Sequence, residues 1–136
     1  MESYKVADDL NVFGMEVKTF PFGIPEAFDS LKNKLRLNDD RYFFGISKCI
    51  NGKVVYKAAV TEAFDGEAEQ YGCERYVIEK GEYLSESLCD WPQQTHAIKE
   101  VLDILTRDDR VDDRYPCIEW YKDNKEMICM VKMKAG

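Results

Sequence analysis

Apolar residues follow one another at strand spacing in three stretches of the first half of the chain. These stretches are short, rich in β-branched and aromatic residues, and bounded by turn residues, which predicts strands over 11–20, 41–48 and 53–61. Asn51-Gly52 lies between the second and third stretch and is the dipeptide typical of a tight β-hairpin turn. The acidic stretch 62–74 shows no comparable pattern, and we expect a loop there.

A helix is predicted between the first two strands. Pro25 stands where a proline is favoured, in the first turn of a helix. Phe28, Leu31 and Leu35 recur at helical spacing and give the helix one apolar face. We expect the polar run 38–40 to end this helix.

The same order of elements returns in the second half. A strand is predicted over 75–80, with an extension past Gly81 to Leu84. A helix is predicted to open at Asp90-Trp91-Pro92, with Asp90 as its N-cap. Its apolar face is formed by four residues, Ile98, Val101, Leu102 and Leu105. After a charged loop over 107–114, two strands are predicted, over 115–122 and 125–133, with a turn at Asp123-Asn124.

Each half therefore has the order strand, helix, strand, strand. We predict a single α+β domain over 1–136, built from two duplicated βαββ units at about 11–61 and 75–133. Its antiparallel sheet would carry both helices on one face. The other face would form a ligand cleft between the halves.

Glu119 interrupts the apolar run of the penultimate strand, between Ile118 and Trp120. If the turn at 123–124 has two residues, Glu119 pairs with Ile128, and side chains alternate between two faces. One face is apolar and should pack on the helices: Ile118, Trp120, Met127, Cys129 and Val131. The other face is mixed: Cys117, Glu119, Tyr121, Glu126, Ile128 and Met130.

Two interpretations of the mixed face stay open on the residues alone. Glu119 is either a surface charge on a half-solvated face or the floor of a ligand cleft. A buried carboxylate needs a partner or stays protonated. A cationic ligand would supply that partner, and the aromatic residues around it attract cations as well.

Composition and charge narrow the classes of function. The chain has 136 residues, 45% apolar and 33% charged, and a net charge of −7. Because nucleic acid is a polyanion and the sequence has no basic stripe, we expect no direct nucleic-acid binding. The absence of a long apolar stretch and of a signal peptide predicts a cytoplasmic location without membrane contact. A homodimer stays open.

The five cysteines form no CxxC motif and no cluster with histidine, so no metal site and no other cofactor is expected. The assumed register puts Cys117 and Cys129 on opposite faces of the sheet, so we expect no disulfide between them. His96 is the single histidine, and we expect it at a surface or half-buried helix position.

Several short segments, taken in their order and spacing, resemble the GyrI-like small-molecule-binding domains. These domains also serve as effector-binding domains of AraC- and MerR-type bacterial regulators. The segments are FGMEVKTF at 13–20, the helix opening at Pro25, YFFGIS at 42–47, VIEKGEYLSE at 77–86 and CIEWY at 117–121. Within this family, the chain resembles the stand-alone integron-cassette proteins. The regulators also carry a helix-turn-helix domain, for which we expect no counterpart here.

The resemblance implies a set of ligand-binding residues. The family places a glutamate of the penultimate strand in its pocket, and that position is Glu119 here, with Tyr121 on the same face. Phe43 and Tyr56, with Gly45 and Ser47, would line the matching face of the first half. Trp91 is either a packing residue at the helix start or a lid over the cleft, and Tyr71 is a similar case.

Three functions follow as hypotheses. The first is a stand-alone binding protein for amphipathic or cationic aromatic molecules, linked to transcription regulation or drug sequestration. The second, implied by the resemblance, is a hydrolase of strained-ring DNA-alkylating natural products, with Glu119 and Tyr121 positioning a water. The third is a protein-interaction module. We favour binding over catalysis because one carboxylate and one tyrosine are a thin catalytic set.

Overall fold

The structure, a computed structural model, describes residues 1–18, 23–35, 41–93, 95–123 and 125–134. Within these ranges the fold is a mixed α/β arrangement of eight strands and three α-helices, with the sheet curled into a half-barrel. The strands are β1 (Glu2–Val6), β2 (Leu10–Glu16), β3 (Phe43–Ile50), β4 (Lys53–Thr61), β5 (Glu74–Ile78), β6 (Gly81–Cys89), β7 (Cys117–Tyr121) and β8 (Glu126–Lys132). The helices are α1 (Ile24–Lys34), α2 (Glu67–Gln70) and α3 (Thr95–Thr106), and a 3-10 turn at Trp91–Gln93 precedes α3.

The strands form one antiparallel sheet in the order β1-β6-β8-β7-β3-β4-β2-β5. This order is symmetric. Exchanging each strand for the strand four places away in the chain (β1 with β5, β2 with β6, β3 with β7 and β4 with β8) gives the same order read from the opposite edge of the sheet. The pair at the centre of this exchange is β3 and β7. Side chains from these two strands therefore meet in the middle of the sheet, where the candidate site lies.

The β3–β4 hairpin forms as the sequence predicts. Asn51 and Gly52 have φ angles of 52° and 80°, the left-handed backbone of a two-residue hairpin turn with matching twist. This turn fixes the register of β3 on β4, in which Gly45 pairs with Ala58 and Ser47 with Tyr56.

Helices α1 and α3 pack on different parts of the sheet. Pro25 lies in the first turn of α1, and Ala27 and Leu31 are buried against Tyr56 and Ala58 of β4. The apolar face of α3, centred on Leu105, packs on three side chains of β8, which are Met127, Cys129 and Val131. The predicted end of α1 at 38–40 lies outside the described residues.

Other expectations about the elements were wrong. The helix α3 begins at Thr95, and Asp90 adopts a φ of 55°, with its carbonyl oxygen accepting the N–H of Gln93. Asp90 is therefore part of the preceding turn. The single strand expected past Gly81 is two strands, β5 and β6, which pair with different partners. The acidic stretch contains α2, and the strand β1 was not predicted.

The register of the β7–β8 hairpin differs by one residue from the expected one. Glu119 pairs with Cys129, and Tyr121 pairs with Met127. The cause lies in the turn, whose residue 124 is not described. The Asp123 carboxylate accepts the backbone N–H groups of Lys125 and Glu126, both at 2.7 Å, a local turn typical of aspartate. The turn is one residue longer as a result, and such a slip moves one strand to the opposite face.

The expected assignment of the two faces was therefore wrong as well. Ile118 and Trp120 share their face with Ile128 and Met130 and pack in a cluster that also contains Val6 of β1 and Ile78 of β5. Because β1 and β5 are the opposite edges of the sheet, this cluster lies inside its curl. The face of Glu119, which we expected to point away from the helices, is the one on which α1 and α3 pack.

The corrected register also removes the reason given for the absence of a Cys117–Cys129 disulfide. Both residues belong to the helix-covered face, since Glu119 pairs with Cys129 and Cys117 lies two residues before Glu119. Both are free thiols.

Within the described ranges, no three His, Cys, Asp or Glu side chains come close enough to hold a metal ion. No helix in these ranges has the length and apolarity to cross a membrane.

Candidate functional site

Glu119 occupies the centre of the helix-covered face. It lies on β7 directly opposite Gly45 of β3, and it is 7% exposed. A Cβ at position 45 would lie 2.6 Å from Oε1 of Glu119 and 2.0 Å from the hydroxyl oxygen of Tyr56. The absence of a side chain at position 45 therefore leaves the space that the carboxylate of Glu119 and the hydroxyl of Tyr56 occupy.

Two tyrosine hydroxyls hold one oxygen of this carboxylate. Tyr121 donates to Oε1 of Glu119 at 2.5 Å, and Tyr56 donates to the same oxygen at 2.9 Å. The two hydroxyl oxygens are 3.4 Å apart. Because Tyr56 comes from β4 and Tyr121 from β7, both halves of the sheet contribute to the cluster.

The second oxygen, Oε2, has no hydrogen-bond partner among the described residues. The only fully enclosed side-chain nitrogen or oxygen without a partner in those residues is Nε1 of Trp120. Oε2 is therefore not fully enclosed, and it belongs to a residue that lines the adjoining cavity.

The surroundings shift the acidity of all three groups. Burial raises the pKa of Glu119, and the hydrogen bonds from Tyr121 and Tyr56 counteract this shift in part. Burial also raises the pKa of each tyrosine, and the charge of Glu119 raises it further. Both hydroxyls therefore stay protonated at physiological pH and act as donors.

The two thiols beside Glu119 are shifted in the same direction. Burial and then the charge of Glu119 raise the pKa of Cys117 to about 11 and that of Cys129 to about 12. Since the thiolate is the nucleophilic form of cysteine, neither residue is an activated nucleophile. The chemistry of the site therefore rests on the carboxylate and the two hydroxyls.

A cavity of about 1010 Å³ opens above the cluster. Cys117, Glu119 and Tyr121 of β7 form its floor, and the start of α1, the helix α3, the β3–β4 hairpin and the loop 111–115 form its sides. Its size is at the upper end of the range for small-molecule sites. Most of its side walls are apolar, with Ile24, Pro25, Val54, Ile98, Leu102, Val111 and Val131 among the lining residues.

Trp91 forms an aromatic wall of this cavity. Its ring meets that of Tyr121 edge to face, with centroids 4.9 Å apart, and its indole N–H donates to the backbone oxygen of Asp123 at 2.9 Å. Trp91 thus combines a packing role with a place in the lining.

Four of the six ligand-binding residues expected from the sequence line this cavity, namely Glu119, Tyr121, Tyr56 and Trp91. Phe43 and Tyr71 do not. Phe43 pairs with Tyr121 across the sheet but packs under α1, edge to face with Phe28. Tyr71 stacks on Phe13 in a separate apolar cluster.

Sequence reasoning missed the contribution of the helices. Ile98 and Leu102 were assigned to a core-facing stripe of α3, and they line the cavity as well. The charged residues of the lining were also missed, and they are Lys48, Lys99, Asp103 and Asp113. The sequence holds no signal for them, because they become neighbours only through the packing of α3 and its following loop. His96 is exposed, as expected, and outside the lining.

Comparison with known proteins gives structural matches only. No family model and no curated protein matches the sequence. An integron cassette protein from the mobile metagenome of Vibrio cholerae has a similar structure, with a TM-score of 0.71 and 12% identity over 98% of this chain and 95% of that one.

Two further solved structures share the fold. SAV2435, solved bound to tetraphenylphosphonium, has a TM-score of 0.64 and 13% identity over 98% of this chain and 93% of that one. A protein named as a candidate bacterial transcription regulation protein, from Staphylococcus aureus MU50, has a TM-score of 0.58 and 14% identity over 96% of this chain and 97% of that one. At these identities the matches establish a common fold.

Proposed function

We propose that the protein binds small amphipathic cations with aromatic groups in the cavity above Glu119. The observation that carries this proposal is the carboxylate of Glu119, a residue that is 7% exposed and lines a large cavity. The carboxylate forms no ion pair with the described residues. A buried carboxylate is costly unless it is paired. A cation in the cavity would supply the missing charge, and the rings of Trp91 and Tyr121 would supply apolar and cation–π contacts.

One structural neighbour supports the same ligand class, since SAV2435 is bound to the aromatic cation tetraphenylphosphonium. We also assign the chain to the GyrI-like domains of the stand-alone integron-cassette type and interpret its two halves as duplicated βαββ units. A single domain, a cytoplasmic location and a role in drug sequestration or in regulation through a partner belong to this proposal. The open cavity argues against a pure protein-interaction module, whose cleft its own side chains would fill.

Binding of tetraphenylphosphonium and of the neutral triphenylphosphine oxide, measured by calorimetry, tests the proposal. Glu119→Gln removes the charge and keeps the size, so the cation should bind about tenfold more weakly, or worse, and the neutral compound about equally. The matched control is Glu126→Gln on the same hairpin, where the side chain is 41% exposed and outside the cavity lining. Equal losses for both compounds would show that Glu119 only shapes the site, and no binding to wild type would refute the proposal.

Hydrolysis of strained-ring DNA-alkylating compounds is the second candidate. The observation that favours it is the additional hydroxyl of Tyr56 on Glu119, because a positioned carboxylate with a raised pKa can act as a general base for a water. Incubation of such a compound with wild type and Glu119→Gln, followed by mass spectrometry of the ring-opened product, separates hydrolysis from binding. Product that forms at the uncatalysed rate with both proteins would exclude it.

A further inference from the structure

We propose that the site selects cations that carry an N–H donor, such as protonated amines, over quaternary cations of similar shape. This inference rests on the proposed function and names the ligand class within it. It follows from the unequal state of the two carboxylate oxygens of Glu119, of which one is occupied by donors and the other is not.

The first oxygen is filled. A carboxylate oxygen offers about two lone-pair positions, and the hydroxyls of Tyr121 and Tyr56 both donate to Oε1, at 2.5 and 2.9 Å. Both hydroxyls remain protonated donors, so they do not give up this oxygen to a ligand. A ligand must therefore approach Glu119 at Oε2.

The second oxygen lacks a donor. Oε2 belongs to a residue that is 7% exposed, and this oxygen has no hydrogen-bond partner among the described residues. A protonated amine would bring both the positive charge and the hydrogen-bond donor that Oε2 lacks. A quaternary cation would bring only the charge, because its alkyl or aryl groups keep the charge away from the oxygen and donate no N–H.

The two lysines described in the cavity lining leave this position to the ligand. Two lysines line the cavity, Lys48 and Lys99. The Lys48 ammonium donates to the backbone oxygen of Arg114 at 2.6 Å, and Lys99 is exposed on α3. Neither forms an ion pair with Glu119 among the described contacts. The aromatic part of an amine ligand would then lie against Trp91 and Tyr121, which form one wall beside the carboxylate.

A matched ligand pair tests this selectivity without any variant. Protonated N,N-dimethyl-1-naphthylmethylamine and the N,N,N-trimethyl compound have the same ring and charge, and differ in that a methyl group replaces the N–H. Calorimetric titration of wild type at pH 7 should show the protonated amine binding about tenfold more tightly, as expected for one hydrogen bond to a charged group. Equal affinities, or tighter binding of the quaternary compound, would overturn the inference and leave the proposed function standing.

A variant separates the hydrogen bond from the size of the extra methyl group. In Glu119→Gln the amide oxygen takes the hydrogen bonds of the two tyrosines, so the amide NH₂ group takes the place of Oε2 and presents donors. The preference for the amine should disappear in this variant and persist in Glu126→Gln. A preference that persists in Glu119→Gln would be steric and would overturn the inference. Failure of both compounds to bind wild type would refute the inference together with the proposed function.

Discussion

Gly45 and Glu119 face each other across the central strand pair, and the carboxylate of Glu119 occupies the space that a side chain at position 45 would fill. Gly45 lies on β3 and Glu119 on β7, and these are the two equivalent strands at the centre of the symmetric strand order. One half of the fold therefore supplies the carboxylate, and the other supplies the gap that receives it and the hydroxyl of Tyr56. A single charge results at the centre of the site.

Gly45→Ala should disrupt this arrangement. The added Cβ would lie 2.0 Å from the Tyr56 hydroxyl and 2.6 Å from Oε1 of Glu119, so both groups must move. We expect a loss of about 1–3 kcal/mol in the free energy of unfolding, as for other overpacked cores, and weaker binding of tetraphenylphosphonium. Urea unfolding and calorimetry measure the two effects.

Removal of the Tyr56 hydroxyl should relieve part of that clash. The double variant Gly45→Ala/Tyr56→Phe is therefore expected to be more stable than the sum of the two single changes predicts, by about 0.5 kcal/mol or more, since the residues are in contact. Strict additivity would mean that the backbone of β3, and not the Tyr56 hydroxyl, absorbs the added methyl group.

The stability of the empty protein should depend on pH through Glu119. Burial raises the pKa of this carboxyl in the folded protein above its ordinary value, so its contribution to stability is fully present below the ordinary pKa. The contribution is lost as the pH rises through the folded value. Glu119→Gln cannot ionise, and it should become more stable relative to wild type as the pH rises from 4 to 8.

Thermal unfolding of both proteins across this pH range measures the difference. Glu126→Gln, on the same hairpin but 41% exposed, should show no comparable trend. If the difference between wild type and Glu119→Gln were constant with pH, or shrank as the pH rose, Glu119 would be ionised in the folded protein without a penalty.

Much of the sheet followed from local sequence signals. Asn51-Gly52 determines its hairpin by backbone conformation alone, so the strand expected over 53–61 is β4, Lys53–Thr61. Glu119 was recognisable because a carboxylate inside an apolar run is unusual. The family resemblance supplied its role in a pocket, and the structure places it at the floor of a cavity.

The rest depended on contacts that the sequence does not reveal. The register of β7 on β8 follows from the hydrogen bonds of the Asp123 carboxylate in the turn, and a one-residue difference changed the face to which Glu119 belongs. The burial of the opposite face follows from the curl that brings β1 and β5 into one cluster. The sequence alone could not distinguish Tyr71 and Phe43 from the aromatic residues that line the cavity. Their positions depend on packing with Phe13 and Phe28, respectively.

Loss of one tyrosine hydroxyl should shift the pH dependence of cation binding. The hydrogen bond from Tyr121 favours the ionised form of Glu119 and lowers its pKa, so Tyr121→Phe should raise that pKa further. As the pH is lowered, Glu119 should therefore become protonated, and the binding of a cation should weaken, at a higher pH in the variant than in wild type.

Tetraphenylphosphonium is a suitable probe for this shift because its charge does not titrate. The titratable side chains of β4, β7 and β8 beside Glu119, apart from Tyr121, are Tyr56, Cys117 and Cys129. Burial raises the pKa of all three, to about 11 and 12 for the two thiols. They should not titrate between pH 5 and 9. Tyr42→Phe, at a residue 46% exposed, should keep the wild-type profile, and an unchanged profile for Tyr121→Phe would show that this hydroxyl does not stabilise the charge.

A second buried carboxylate, Glu67, provides a contrasting case in which the protein supplies its own cation. Arg41 donates to both oxygens of Glu67, at 2.7 and 2.8 Å, and the backbone N–H of Ala63 donates to the same carboxylate at 2.8 Å. The Glu67 side chain is 2% exposed and that of Arg41 is 11% exposed. The pair connects α2 to the start of β3, so its loss should affect folding rather than ligand selectivity.

Arg41→Met should cost about 3–5 kcal/mol of unfolding free energy, because it leaves the carboxylate of Glu67 buried without its cation. Arg41→Met/Glu67→Met should recover much of this loss, since a pair of apolar residues needs no compensation. The control is Arg110→Met. The Arg110 side chain is 57% exposed beside Asp108, so its replacement should cost less than about 1 kcal/mol of unfolding free energy. Urea unfolding of the three variants decides the matter. A cost for Arg41→Met as small as that of Arg110→Met would mean that water reaches Glu67, and a double variant as unstable as the single one would mean that the loss comes from packing and not from the unpaired charge.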